Sequence, residues 1–174
     1  ELTRLNKPIG FMLLFWPCAW GITLAYYSDP FFGFYFDWGK ILYLKYLILF
    51  FLGSVLMRSA GCIANDIIDK EFDKKVFRTK DRPIASNQIS IRLSIFYIII
   101  LCFLALIVLL NFNSFTIFLA LGSMPLAFTY PFMKRFTYWP QLFLGITFNY
   151  GLILGWTAVK GQIDVVAIIF YLGA

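Results

Sequence analysis

The chain has 174 residues, of which 61% are hydrophobic, 21% aromatic and only 14% charged, where soluble domains carry about 25% charged residues. It has no histidine and a formal net charge of +6. That composition excludes histidine-based catalysis and histidine metal sites, and it favours a protein of the lipid bilayer, oriented by its basic excess, over a nucleic-acid binder.

In chain order, residues 9–27 are free of charge and long enough to cross a hydrocarbon core, which takes roughly 20 residues. This run lacks a small-residue cleavage site and is followed by further spans, so it reads as a retained helix and not as a signal peptide. A second span is expected from about 41 to 64, with Lys45 able to snorkel at one end and Arg58 deeper in the apolar run. Later spans fall near 89–110, 114–132, 138–159 and from 163 onward.

Backbone groups in lipid must be satisfied internally, and the alternating pattern of barrel strands is absent. The expected fold is therefore all-α: a multi-span transmembrane helical bundle with five spans and part of a sixth. No linker, repeat or low-complexity run divides residues 1–174, which read as one integral membrane domain. The chain opens at Glu1 and its last apolar run is short, so it is expected to be the N-terminal fragment of a longer domain. Cys18, Cys62 and Cys102 have no CxxC spacing and read as buried small apolar residues.

Alternating spans put the N-terminus, the 65–88 connection and the Lys134/Arg135 connection on one side. Arg4, Lys7, Arg58, Lys70, Lys74, Lys75, Arg78, Lys80, Arg82, Arg92, Lys134 and Arg135 fall there, against Lys40, Lys45 and Lys160 on the other. Lysine and arginine are enriched on the cytoplasmic side of membranes, so the first side is expected to be cytoplasmic.

Acidic residues contribute little to orientation, so Asp66, Asp69 and Asp73 in the stretch NDIIDKEFD need another reason. If the second helix runs through them, about 100° per residue gathers the three carboxylates within about 60° of arc. Such neighbours repel unless a cation sits among them. Oxygen-only ligands beside basic residues suit Mg²⁺, which keeps positions open for phosphate oxygens. Arg78 and Arg82 offer planar forks for those oxygens, with Lys74, Lys75 and Lys80 as point charges. Arg58, about two turns deeper, shares the direction of Asn65 and Asp69 on a continuous helix. The alternative is an ordinary solvated helix end in which Arg58 snorkels and the lysines and aspartates form i, i+4 pairs.

Asn65, Asp66, Asp69 and Asp73 form an N-D-x-x-D-x-x-x-D motif that resembles the UbiA family of intramembrane aromatic prenyltransferases. Arg78-Thr79-x-x-Arg82-Pro83-Ile84-x-Ser86 resembles the basic segment that follows it, and Leu5-x-Lys7-Pro8-Ile9-Gly10 with Trp16-Pro17 resembles the family's first helix. Tyr130-Pro131-Phe132-x-Lys134-Arg135 resembles the loop after its fourth helix, in the 4-hydroxybenzoate-using branch in particular. Phe77 departs from a commonly basic position, and Asn87 stands where a glycine often follows Ser86. The family has about nine helices and a second Asp-rich motif, so this chain would hold half of the metal site and be inactive alone.

The resemblance implies Mg²⁺ on Asp66, Asp69 and Asp73, with Asn65 supporting, holding the diphosphate of a polyprenyl donor while Arg78 and Arg82 neutralise it. Loss of diphosphate would give an allylic cation, attacked by the ring carbon ortho to the hydroxyl of 4-hydroxybenzoate, as an early membrane step of ubiquinone biosynthesis. Lys7, Arg58, Lys134 and Arg135 are candidates for the acceptor's carboxylate, and another aromatic acceptor is the alternative within the family. The location implied is a bacterial inner membrane. A secondary transporter would carry its ionisable residues near the midplane, whereas these lie at one end. A CDP-alcohol phosphatidyltransferase would need a D-G-x-x-A-R lead-in, which is absent. The many aromatic rings read as packing and interfacial anchors.

Overall fold

A computed structural model describes residues 2–28, 36–136 and 139–173, with the side chains at 36–38, 127, 128, 130–136 and 140 outside that description. All regular structure among the described residues is helical: α1 (Ile9–Tyr27), α2 (Phe36–Ile68), α3 (Lys70–Asp73), α4 (Ile91–Leu109), α5 (Ser114–Phe136), α6 (Pro140–Lys160) and α7 (Val165–Gly173). Four of them, α1, α2 from Gly39, α4 and α6 from Gln141, are long and apolar enough to cross a membrane. The fifth expected span falls on α5, whose 23 residues rise about 34 Å, while the apolar stretch among its described residues is the shorter Ser114–Leu126.

Two helices outrun their expected limits. The second, α2, has 33 residues and a length of about 50 Å, so it projects well beyond a hydrocarbon core and carries Asn65 and Asp66 out on its last turn. In α5 the helix continues to Phe136, past the expected end at 132, so the backbone at Lys134 and Arg135 is helical and not a loop. Helical backbone bonds need no apolar side chains, and the next barrier is Pro140, which disfavours helix at Trp139 before it.

The bundle is built around α1 against α6. Gly21 of α1 lies so close to α6 that an added Cβ would sit 2.1 Å from the Leu152 carbonyl oxygen, and one on Gly155 would sit 2.2 Å from the Cys18 oxygen. With Gly151 this forms a Gly-x-x-x-Gly surface, the small-residue packing that lets helix backbones approach where lipid supplies no hydrophobic drive. Trp156, Ala25 and Ala167 continue the packing to α7. The second layer packs α2 on α1 and on α4, with Phe51 edge-on to Phe11 and Phe15 at 5.8 and 5.4 Å. The aromatic rings thus serve packing here. Cys18 and Cys62 are buried and Cys102 half-buried, all unpaired thiols.

The end of the bundle formed by the α4–α5 and α6–α7 connections is closed by one asparagine. Asn113 Oδ1 accepts from the Thr116 N–H at 2.9 Å, capping α5, while its Nδ2 donates to the Thr157 and Ala158 carbonyls at 2.8 and 3.2 Å. Thr116 Oγ1 adds a bond to Thr157 Oγ1 at 3.1 Å. The charged stretch lies at the opposite end.

Candidate functional site

The expected continuous helix through the aspartates is interrupted once. Asp69 has φ −90° and ψ 3° and separates α2 from α3, yet its N–H donates to Asn65 O at 2.9 Å and Asp73 N–H donates to Asp69 O at 2.8 Å. The chain keeps its course while the carboxylates take different partners. Asp66 and Asp73 are buried, 3% and 8% exposed, and both accept from Arg82. Asp69 Oδ2 accepts from Asn65 Nδ2 at 3.0 Å.

Arg82 is delivered by residues 74–90, which contain no regular element but fold back in successive turns. Thr79 is buried and its hydroxyl donates to the Asp73 carbonyl at 3.1 Å. Ile84 and Ala85, 0% and 3% exposed, plug the segment into the bundle. Ile89 N–H then closes on Pro83 O at 3.0 Å, and Ser86 Oγ donates to Arg82 O at 2.9 Å. Asn87 takes the left-handed φ of 60°, which explains its departure from glycine: asparagine is among the few other residues that adopt this conformation readily.

Arg82 Nη1 lies 3.2 Å from Asp66 Oδ1 and 2.6 Å from Asp73 Oδ2. A second guanidinium, that of Arg4 in the segment before α1, also donates to Asp66 Oδ1. Two carboxylates and two arginines therefore form one partly buried network at the end of α2. Sequence reasoning assigns Arg4 only to orientation. The signal that could have found it is its place next to the Leu5-x-Lys7-Pro8 motif, on the same side as the aspartates. Thr79, Ile84 and Ala85 have no role that sequence alone assigns, because only the folded loop reveals them as anchors.

The remaining expected residues divide by position. Arg58 is half-buried against Gly10 of α1, where an added Cβ would meet its Nε at 2.6 Å, and it makes no ion pair among the described residues. Arg78 and Lys7 are exposed and likewise make no ion pair among the described residues. The side chains of Lys134 and Arg135 lie outside the described residues. Lys74 pairs with exposed Glu71, three residues back, at 2.7 Å, and that hydrogen bond holds the Glu71 carboxyl below its ordinary value. Lys80 rests over the Phe77 ring at 4.5 Å.

Among the described residues no three carboxylates or thiols converge as a metal ion would require. The physical reason is visible: the Arg82 guanidinium stands between Asp66 and Asp73, and Asp69 is bonded to Asn65. The donor chemistry nevertheless fits a hard divalent cation, since one nitrogen of Arg82 already occupies a point within 3.2 Å of oxygens from both Asp66 and Asp73. Positive charge at that point is what the two buried carboxylates demand.

An apolar cavity of about 220 Å³ lies among the helices, lined by residues such as Leu14, Phe50, Met57, Leu109, Met124 and Leu154. A larger, more open groove of about 660 Å³ runs past Trp20, Leu24 and Phe170, toward the end of α1 remote from the aspartates. Its remoteness makes it the less relevant of the two.

Residues 12–174 match the UbiA prenyltransferase family. The chain belongs to that family. Among relatives of this UbiA chain, the 4-hydroxybenzoate polyprenyltransferase, mitochondrial, of Arabidopsis thaliana is 48% identical over 163 residues, covering 94% of this chain and 38% of the relative. The protein of the same description from Homo sapiens is 50% identical over 164 residues, covering 94% and 42%. The chain thus spans about two fifths of the length of these curated relatives. In fold it is similar to a UbiA homolog from Aeropyrum pernix K1, solved in its apo form, with a TM-score of 0.70 and 24% identity over 91% of this chain and 54% of that one. The all-helical membrane bundle expected from the sequence is the family's fold.

Proposed function

We infer that this UbiA chain supplies the donor-diphosphate end of a 4-hydroxybenzoate polyprenyltransferase. In that reaction the first carbon of the polyprenyl chain bonds to the ring carbon ortho to the acceptor's hydroxyl, diphosphate leaves with the electron pair of the broken C–O bond, and the ring carbon gives up its proton. The observation that carries the reading is the convergence of Arg82 and Arg4 on Asp66 and Asp73 at the projecting end of α2. The names of the relatives support the choice of acceptor.

Asp66, Asp69 and Asp73, with Asn65 in support, would hold Mg²⁺. When bound, the ion would stabilise charge on the departing diphosphate. Arg82 and Arg78 would bind phosphate oxygens through their forks, which suit that geometry better than a lysine does. The apolar cavity between the helices would receive isoprenoid and exclude water from the reacting carbon. Of the four candidates for the acceptor's carboxylate, Arg58 has the most suitable placement, being half-buried, on the face of α2 toward α1 and without an ion pair among the described residues. The same reading puts the aspartate end in the cytoplasm of a bacterial inner membrane, supported by the distribution of Lys and Arg. The mitochondrial location is that of the eukaryotic relatives.

The test is transfer of a radiolabelled polyprenyl chain to 4-hydroxybenzoate in membranes holding the chain within a protein of its relatives' length. Asp69→Asn and Asp73→Asn should remove most transfer, EDTA should do the same to the unaltered protein, and Lys70→Gln should have little effect. Transfer that persists in the aspartate variants, or in EDTA, would overturn the metal site.

A further inference from the structure

Asp66 Oδ1 accepts from two guanidiniums at once, Arg4 and Arg82. Asp66 is 3% exposed and Arg4 30%, so the pair opens to water from the arginine's side. Arg4 also has a left-handed backbone, φ 50°, and its carbonyl accepts from the Lys7 N–H at 3.0 Å. Non-glycine residues adopt this conformation seldom, and persist in it where their surroundings hold them. The segment before α1 is therefore a strained turn, tied to the end of α2 through Asp66.

The charges of the network balance as two carboxylates and two guanidiniums. A divalent cation taken up by Asp66, Asp69 and Asp73 would set two further positive charges beside three carboxylates and two guanidiniums, leaving the site one positive charge in surplus. An anionic diphosphate answers that surplus and gives a displaced guanidinium a new partner. Resting on the donor-site reading above, we propose that Arg4 is a further donor-binding residue: it competes with the metal for Asp66 and, once displaced, turns to the donor's diphosphate, so that residues 2–8 act as a strap responsive to donor loading.

Competition has a signature that a structural role lacks, because removing Arg4 should move two affinities in opposite directions. The probes are Mn²⁺, an oxygen-binding divalent ion visible by magnetic resonance, alone and with inorganic pyrophosphate, on the chain held within a protein of its relatives' length, in detergent. Arg4→Ala should bind Mn²⁺ alone at least about threefold more tightly, since a neighbouring positive charge is gone. The same variant should bind pyrophosphate in the presence of Mn²⁺ about tenfold more weakly, because alanine cannot donate a charge-assisted hydrogen bond to a phosphate oxygen. Arg4→Lys should fall between the variant and the parent in both. Arg92→Ala removes equal charge from the exposed start of α4 and should change neither. Unchanged or weakened Mn²⁺ binding in Arg4→Ala, with helicity retained by circular dichroism, overturns the proposal alone when the parent's Mn²⁺ binding depends on Asp69. Failure of the parent to bind Mn²⁺ in an Asp69-dependent way overturns the donor-site reading and this proposal with it.

Discussion

Arg82 Nη1 lies 2.6 Å from Asp73 Oδ2, nine residues back in the chain, and the turn that makes this reach is fixed by Ile84, which is fully buried. An apolar anchor two residues along thus sets the position of a charge. The pairing is partly wet, with Arg82 28% and Asp73 11% exposed at the side chain. Arg82→Ala would leave two mostly buried carboxylates short of a partner, and should lower stability by about 2 kcal/mol, below the 3–5 of a fully buried pair. Thermal unfolding in detergent checks this. Arg82→Lys should recover part of the loss, and Ile84→Ala should loosen the network without touching a charge.

The α1–α6 crossing offers a sharper test. A side chain at Gly155 would run into the Cys18 backbone, while nothing lies within 4 Å of a Cβ at Gly145 on the same helix. Gly155→Leu should destabilise the bundle by at least about 2 kcal/mol through overpacking. Gly145→Ala should be neutral or stabilise by up to about 1 kcal/mol through helix propensity. Equal melting temperatures for the two variants would contradict the crossing.

Asn87, at φ 60°, should accept glycine freely and resist β-branched residues. Asn87→Gly is expected to melt within a degree or two of the parent, whereas Asn87→Val should lose about 1 kcal/mol. Any loss of diphosphate binding in Asn87→Val should be recovered by Asn87→Gly, since the position shapes the loop that carries Arg82.

Asn113 joins the cap of α5 to the last carbonyls of α6. Asn113→Ala should cost about 1–2 kcal/mol, the usual loss of an N-cap with added orphan carbonyls. Mn²⁺ and pyrophosphate binding at the other end should be unaffected, and titration of both ligands on the variant measures that.

Orientation can be read directly. A cysteine at Asp81 should be labelled by an impermeant maleimide from the cytoplasmic face only, and one at the exposed Gln162 from the opposite face only. The reverse pattern would turn the whole molecule over.

Much of the architecture is legible in the sequence because lipid leaves the backbone few choices: uncharged runs such as 9–27 must be helical, and α1, α2, α4 and α6 lie where hydropathy places them. Asp66, Asp69 and Asp73 stand out in the sequence as candidates, since acidic residues in such a chain have no topological purpose, and the fold brings Asp66 and Asp73 together on Arg82. Their partners are not legible there. Arg4 is 62 residues from Asp66 and Arg82 is 16 away, so local periodicity carries no information about either pairing. The break at Asp69 is hidden for the opposite reason: helix-like hydrogen bonds continue on both sides of it, and no proline or glycine marks it. The helical backbone at Lys134 and Arg135 is hidden because hydropathy reports where apolar residues end, and a helix can continue past that point into water.

The closure of the far end by Asn113, Thr116 and Thr157 uses only neutral groups, whereas the end bearing Asp66 and Asp73 is held by ions. Dissolved salt acts on the second kind of bond and hardly on the first, because mobile ions screen charges over about 8 Å at physiological ionic strength and do little to a bond between amide and carbonyl. The protein is therefore asymmetric toward its electrolyte. Raising the salt concentration should speed amide hydrogen exchange in residues 74–90 while leaving the exchange at Gly161 and Thr116 as it was, so that the bundle softens from one membrane face only.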